Sequence, residues 1–187
     1  MERHRFIALC GAPLAGKSTI AGILERRFGY QVIDDKAPLR AAAMELYGLT
    51  YEQVSTQSGK SQIIQIGGHE MTIREVLGEL AKYHERAYGH DFFAIQAIEK
   101  AREIDPFGER KFVFPSVRMK QGWVFKEAGG TVVEVRNPDT SIIHDFDHYD
   151  PAAVDSVVEN AIGKSDLELI AQLDLLVSLE EAPVLSC

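Results

Sequence analysis

The stretch GAPLAGKS, residues 11–18, constrains this chain more than any other. It fits the pattern G-x-x-x-x-G-K-[ST] at Gly11, Gly16, Lys17 and Ser18. With glycine at about 7% of average usage, a chance match in a chain this long is on the order of one in a hundred. The flanks supply the context such a loop needs. Phe6–Cys10 is a short apolar run that reads as a buried strand. After the loop, Ile20, Ile23, Leu24 and Phe28 recur at helical spacing until Gly29. A glycine-rich turn between a buried strand and a helix brings backbone N–H groups and the helix N-terminus to one point, and that point favours a phosphate. Gly11, Ala12, Pro13, Leu14, Ala15, Gly16, Lys17, Ser18 and Thr19 therefore read as an ATP cradle. Lys17 would reach the β- and γ-phosphates, and the Ser18 hydroxyl would hold Mg2+.

The rest of the chain alternates strand and helix. Gln31–Ile33, Lys111–Pro115, Thr131–Val135 and Asp155–Asn160 read as further strands. Pro38–Leu46, Asp91–Ile104, Lys120–Ala128 and Asp166–Leu179 read as helices, as does Thr72–Tyr88, with Thr72 and Glu75 as a capping box. Gly67–Gly68 suggests a small hairpin, and residues 49–61 carry no clear period. This alternation predicts one α/β domain over residues 1–187, with a parallel sheet covered by helices on both faces. Ligands of such sheets sit at the carboxyl ends of strands. Those ends carry Gly11–Ser18, Asp34–Asp35 and Ser116–Arg118.

Composition excludes several classes. The 187 residues are 45% hydrophobic and 26% charged, as in an ordinary globular protein. No run approaches the roughly 18 apolar residues of a membrane span. MERHR passes straight into FIALC with no small-residue cleavage pattern, so no secretory leader is expected. Two cysteines, Cys10 and Cys187, make no disulfide framework, and a reducing cytoplasm is the expected location. The net charge of −8 argues against a wide basic surface for duplex DNA, though not against a local basic groove.

Smaller constellations carry weaker signals. HDFDHYD, residues 144–150, is rich in metal-type ligands but lacks zinc spacing, and reads as a lid or substrate loop, or as a polar surface turn. His84 and His90 read as surface or helix-end residues, and SGKS at 58–61 as a flexible loop.

The order of elements resembles the phage deoxynucleoside monophosphate kinase family, within the nucleoside monophosphate kinase type of P-loop NTPase fold. The matching pieces are GAPLAGKST, APLRAAAMELYGL, TIREVLGELAKYHERAYGHDFFA, VFPSVRMKQGWVFKEAGGTVVEVRNP and DSVVENAIGKSDLEL. The resemblance implies a kinase using ATP and Mg2+, with Arg40, Arg74, Arg86 and Arg118 binding phosphates. Arginine suits that work because its planar fork grips phosphate and stays charged.

The departures are informative. Where that family usually has Asp-x-Arg, this chain has Ser116–Val117–Arg118, and Gln121 stands where a glutamate is usual. Conversely, Asp34 and Asp35 are a carboxylate pair the family does not usually carry, at the end of the second strand and beside the cradle. A monophosphate acceptor is already anionic, whereas a hydroxyl acceptor must lose a proton, which a positioned Asp can take. DDKAPLR also resembles the Asp-then-Arg arrangement of polynucleotide 5′-hydroxyl kinases. Asp35 or Asp34 is therefore the expected base, with Arg40 as a phosphate clamp. The combination resembles phage kinases that act on 5-hydroxymethyluracil in DNA. On that reading Arg74, Lys82, Arg86, Arg118, Lys120 and Lys126 line a local groove, and Trp123 stacks on a base. The alternatives are a kinase of free deoxynucleoside monophosphates and a non-catalytic nucleotide-binding module.

Overall fold

The computed structural model describes residues 5–161 and 164–181; Cys187 lies outside them. The chain forms two compact units, Met1–Asp34 with Ala94–Cys187, and Asp35–Phe93.

The first unit is built on five parallel strands: β1 (Arg5–Cys10), β2 (Tyr30–Val32), β5 (Lys111–Phe114), β6 (Thr131–Arg136) and β7 (Ser156–Glu159). Their order is β2-β5-β1-β6-β7. Alternation along β1 explains why it lies near the middle. Ile7 and Leu9 face one side and Phe6, Ala8 and Cys10 the other, all buried. On the Ile7 side, α1 (Lys17–Phe28) and α8 (Asp166–Glu181) bring Ile20, Leu24, Leu169 and Leu173 against Val113, Val133 and Val158. On the Phe6 side, α6 (Phe92–Ile104) contributes Ala94, Ala97, Ile98 and Ala101, and α7 (Gln121–Glu127) contributes Phe125. Small residues on α6 let it approach a sheet face crowded by Phe6, Phe112 and Phe114. The expected parallel sheet with helices on both faces is thus present.

The second unit holds α2 (Ala37–Tyr47), α3 (Tyr51–Ser55), α4 (Gln57–Lys60), the hairpin β3 (Ile63–Ile66) and β4 (His69–Thr72), and α5 (Ile73–Tyr88). Leu39, Ala43, Val54, Ile73, Leu80 and Phe93 form its core. The capping box at Thr72 and Glu75 is formed as the sequence predicts. Residues 49–61 depart from expectation. Thr50 and Thr56 each accept a backbone N–H and start α3 and α4, so SGKS falls largely in a helix and not in a loop. His84 is also more enclosed than expected. Its Nδ1 lies 2.8 Å from Leu80 O, and its ring packs among Tyr88, Phe92 and Phe93. Among the described residues, no helix is long and apolar enough to cross a membrane.

Candidate functional site

Because the five strands run parallel, their carboxyl ends share one edge, and the loop after β1 is folded there as a phosphate cradle would be. Gly11 has φ +132° and backs onto β6; a Cβ there would overlap Val135 O. Gly16, with φ +98°, is the N-cap of α1 and backs onto the Asn160 side chain after β7. Glycine is needed at both places for conformation and for space. The first turn of α1 has no side-chain cap and no acidic residue, so its N–H groups suit an added anion. Lys17 Nζ folds over the loop and donates to Gly11 O at 2.7 Å and Ala12 O at 2.8 Å. Ser18 and Thr19 are exposed at the helix start. Glycine spacing, helix terminus, ammonium and hydroxyl together fit a nucleoside triphosphate with Mg2+.

Arg118 stands on the loop after β5, the strand beside β1, and Val117 N–H ties that loop to Leu9 O at 3.1 Å. Its guanidinium donates to Phe146 O at 3.3 Å, pairs with Asp147 at 3.0 Å, and lies over the Phe146 ring. Gln121 Oε1 accepts the Arg118 backbone N–H at 3.1 Å. The 144–150 segment is therefore the mount of Arg118. Met119 and Tyr149 bridge the two stretches, with Met119 N–H donating to His148 O and Asp150 N–H to Met119 O. Sequence reasoning missed Asp147; the signal was an arginine at a strand end whose own strand offers it no acid. It also missed Asn160, whose Nδ2 donates to Ala15 O at 2.8 Å.

The aspartate pair follows the second strand, as its place in the sequence implies. Asp34 follows β2, which pairs with β5 and not with β1. Sequence order hides this because β5 inserts between the first two strands. Asp35 belongs to the second unit and is buried, with its carboxylate 3.5 Å from Lys36 Nζ. The Lys36 ammonium lies 4.8 Å from the centre of the Phe93 ring. Asp35 does not cap α2: the N-cap is Lys36, whose side chain makes no cap hydrogen bond. Oδ1 of Asp35 is buried and has no hydrogen-bond partner among the described residues.

The other expected ligands are less enclosed. Burial lowers the pKa of Arg40, against an opposing effect from Tyr51, and an arginine still stays charged. Arg74 donates to Gln57, and Arg86 is exposed on the last turn of α5. Trp123 is 40% exposed, its Nε1 donating to Asp150 at 2.9 Å, and Lys126 sits 5.4 Å from its ring centre. Tryptophan's ring is at the surface, with an ammonium over its plane.

No protein-family model and no curated protein matches the chain. Solved structures do. A protein from Chloroflexus aurantiacus, provisionally described as a kinase, is 10% identical, with 97% of this chain and 100% of that one covered and a TM-score of 0.53. TT1252 from Thermus thermophilus is 20% identical, covers 96% of this chain and 99% of its own, and gives a TM-score of 0.51. The chain therefore shares its α/β fold with these two proteins along nearly its whole length.

Proposed function

We propose that this chain is an ATP- and Mg2+-dependent phosphotransferase whose acceptor is a hydroxyl, with the hydroxymethyl group of 5-hydroxymethyluracil in DNA as the favoured substrate. The loop between β1 and α1 carries the first half of this reading. Its glycines are forced, its helix end is uncapped, and Lys17 and Ser18 stand at its rim. The likeness to a protein described as a kinase supports the same chemistry. Mg2+, held through the Ser18 hydroxyl, would supply charge neutralisation on the phosphates. Lys17 exchanges its loop carbonyls for phosphate oxygens, and Arg118, already aimed by Asp147, stabilises charge on the transferred group.

The acceptor half rests on Asp35. A buried carboxylate with an unbonded oxygen, next to a lysine and not capping a helix, has the character of a proton acceptor. A phosphate acceptor would gain nothing from it. Arg40, in the first turn of α2, serves as the phosphate clamp.

Incubation with labelled ATP and hydroxymethyluracil-containing DNA, ordinary DNA or free deoxynucleoside monophosphates tests this reading. Label should enter only the hydroxymethylated DNA. Label in free monophosphates alone would replace it with a monophosphate kinase, and no transfer to any acceptor would leave a nucleotide-binding module.

A further inference from the structure

The cradle is bracketed from behind by two strand ends. Gly11 lies against Val135 O of β6, and Gly16 lies against the Asn160 side chain just after β7. Asn160 is itself fixed, its backbone N–H donating to Arg136 O at 2.7 Å. The strand end before it is fixed too. Gln172 of α8 accepts from Glu159 N–H at 2.9 Å and donates to Glu159 O at 3.1 Å. From this anchored position Asn160 Nδ2 donates to Ala15 O at 2.8 Å. Only the amide nitrogen can face a carbonyl, so the orientation of the side chain is determined.

That bond has a consequence on the far side of the peptide. In a trans peptide the C=O of one residue and the N–H of the next point in opposite directions. A donor holding Ala15 O therefore turns the Gly16 N–H away from Asn160. The N–H groups at the glycine–lysine corner of such a loop are the ones that meet phosphate. We propose that Asn160 is a positioning residue for nucleotide binding: it fixes the Ala15–Gly16 peptide so that the Gly16 N–H is aimed at a bound phosphate before the nucleotide arrives. This inference rests on the cradle binding nucleoside triphosphates, not on the identity of the acceptor.

The mechanism makes a distinction that a base-reading side chain would not. Asn160 acts through the phosphate-binding peptide, so it matters equally for a ligand with no base. The experiment measures the binding of ATP and of inorganic tripolyphosphate, each with Mg2+, to the full chain and to Asn160→Ala, Asn160→Asp and Lys17→Ala. Asn160→Ala should weaken both ligands by the same factor, on the order of tenfold, the worth of one hydrogen bond. Asn160→Asp has nearly the same shape but sets an acceptor and a negative charge against Ala15 O, so it should lose more than the alanine variant does. A packing role would leave this isostere near the parent. Should Asn160→Ala fail to fold, Asn160→Ser, which keeps a shorter donor, carries the same comparison. Loss of ATP binding with tripolyphosphate unchanged would overturn the proposal, as would unchanged binding of both while Lys17→Ala loses them. If the parent chain binds neither ligand, or Lys17→Ala binds like the parent, the nucleotide reading falls and this inference with it.

Discussion

Arg118 Nη2 stands 3.0 Å from Asp147 Oδ1, joining the loop after β5 to a 3-10 turn over residues 145–147. The two partners are unequally placed: 29% of the Arg118 side chain is exposed, against 2% of Asp147. Removing either one should therefore have unequal effects. Without Arg118 the carboxylate is left buried, with its second oxygen already lacking a hydrogen-bond partner among the described residues. Without the Asp147 charge, Arg118 can still reach water. Removing one member of a fully buried pair costs about 3–5 kcal/mol, so Arg118→Met should cost about 2–3 kcal/mol and Asp147→Asn about 1 kcal/mol. Urea unfolding measures both, and equal losses would contradict this account of the pair.

The Arg118 mount shows why part of the site was legible and part was not. The cradle is local: its glycines, lysine and serine are contiguous, and the strand and helix around it announce themselves by periodicity. The same holds for Thr72 and Glu75, three residues apart. Asp147 and Asn160 act across chain-distant contacts that have no spacing to read, and they become visible only once β5, β6 and β7 are aligned. The strand neighbours of Asp34 are hidden for a related reason. Strand order is a tertiary property, and β5 separates β2 from β1. Residues 49–61 were opaque because their two helices are too short to show a period and are set by threonine caps.

Glu134 makes stability depend on acidity. The Arg136 guanidinium donates to its two oxygens at 3.0 and 2.8 Å, and with a hydrogen bond from Tyr149 this holds the carboxyl below its ordinary range, against some burial. Burial and then Glu134 push the Tyr149 hydroxyl upward. A carboxyl depressed in the folded state contributes stability above its unfolded value and loses it as pH falls through the folded one. In urea titrations as pH falls below ~4.5, the ordinary carboxyl range, the parent should lose stability more steeply than Glu134→Gln. Parallel curves would contradict the pairing.

Cys10 should be chemically silent in the folded protein. Burial, with a smaller contribution from Glu134, pushes its thiol up to about 12, and its Sγ faces Val133 O. In a Cys187→Ser chain, a thiol reagent at ~pH 8 should label Cys10 about a thousandfold more slowly than a free thiol. Addition of urea should restore the rate. Fast labelling of the folded chain would contradict its burial beneath the cradle.

The two kinds of glycine should separate cleanly. Gly11→Ala meets both a forbidden φ and Val135 O, and should cost about 2–3 kcal/mol and abolish ATP binding. Gly29 also has a positive φ, +72°, but faces open space, so Gly29→Ala should cost about 1 kcal/mol and leave ATP affinity intact. ATP titration beside urea unfolding distinguishes them.

Asp35 carries the claim that the acceptor is a hydroxyl, and single-turnover transfer from labelled ATP to hydroxymethyluracil-containing DNA tests it most directly. Asp35→Asn preserves shape and removes the base. Transfer should fall by about 10²–10⁴-fold while ATP affinity stays within about twofold of the parent. Transfer at the parent rate by Asp35→Asn would contradict the account.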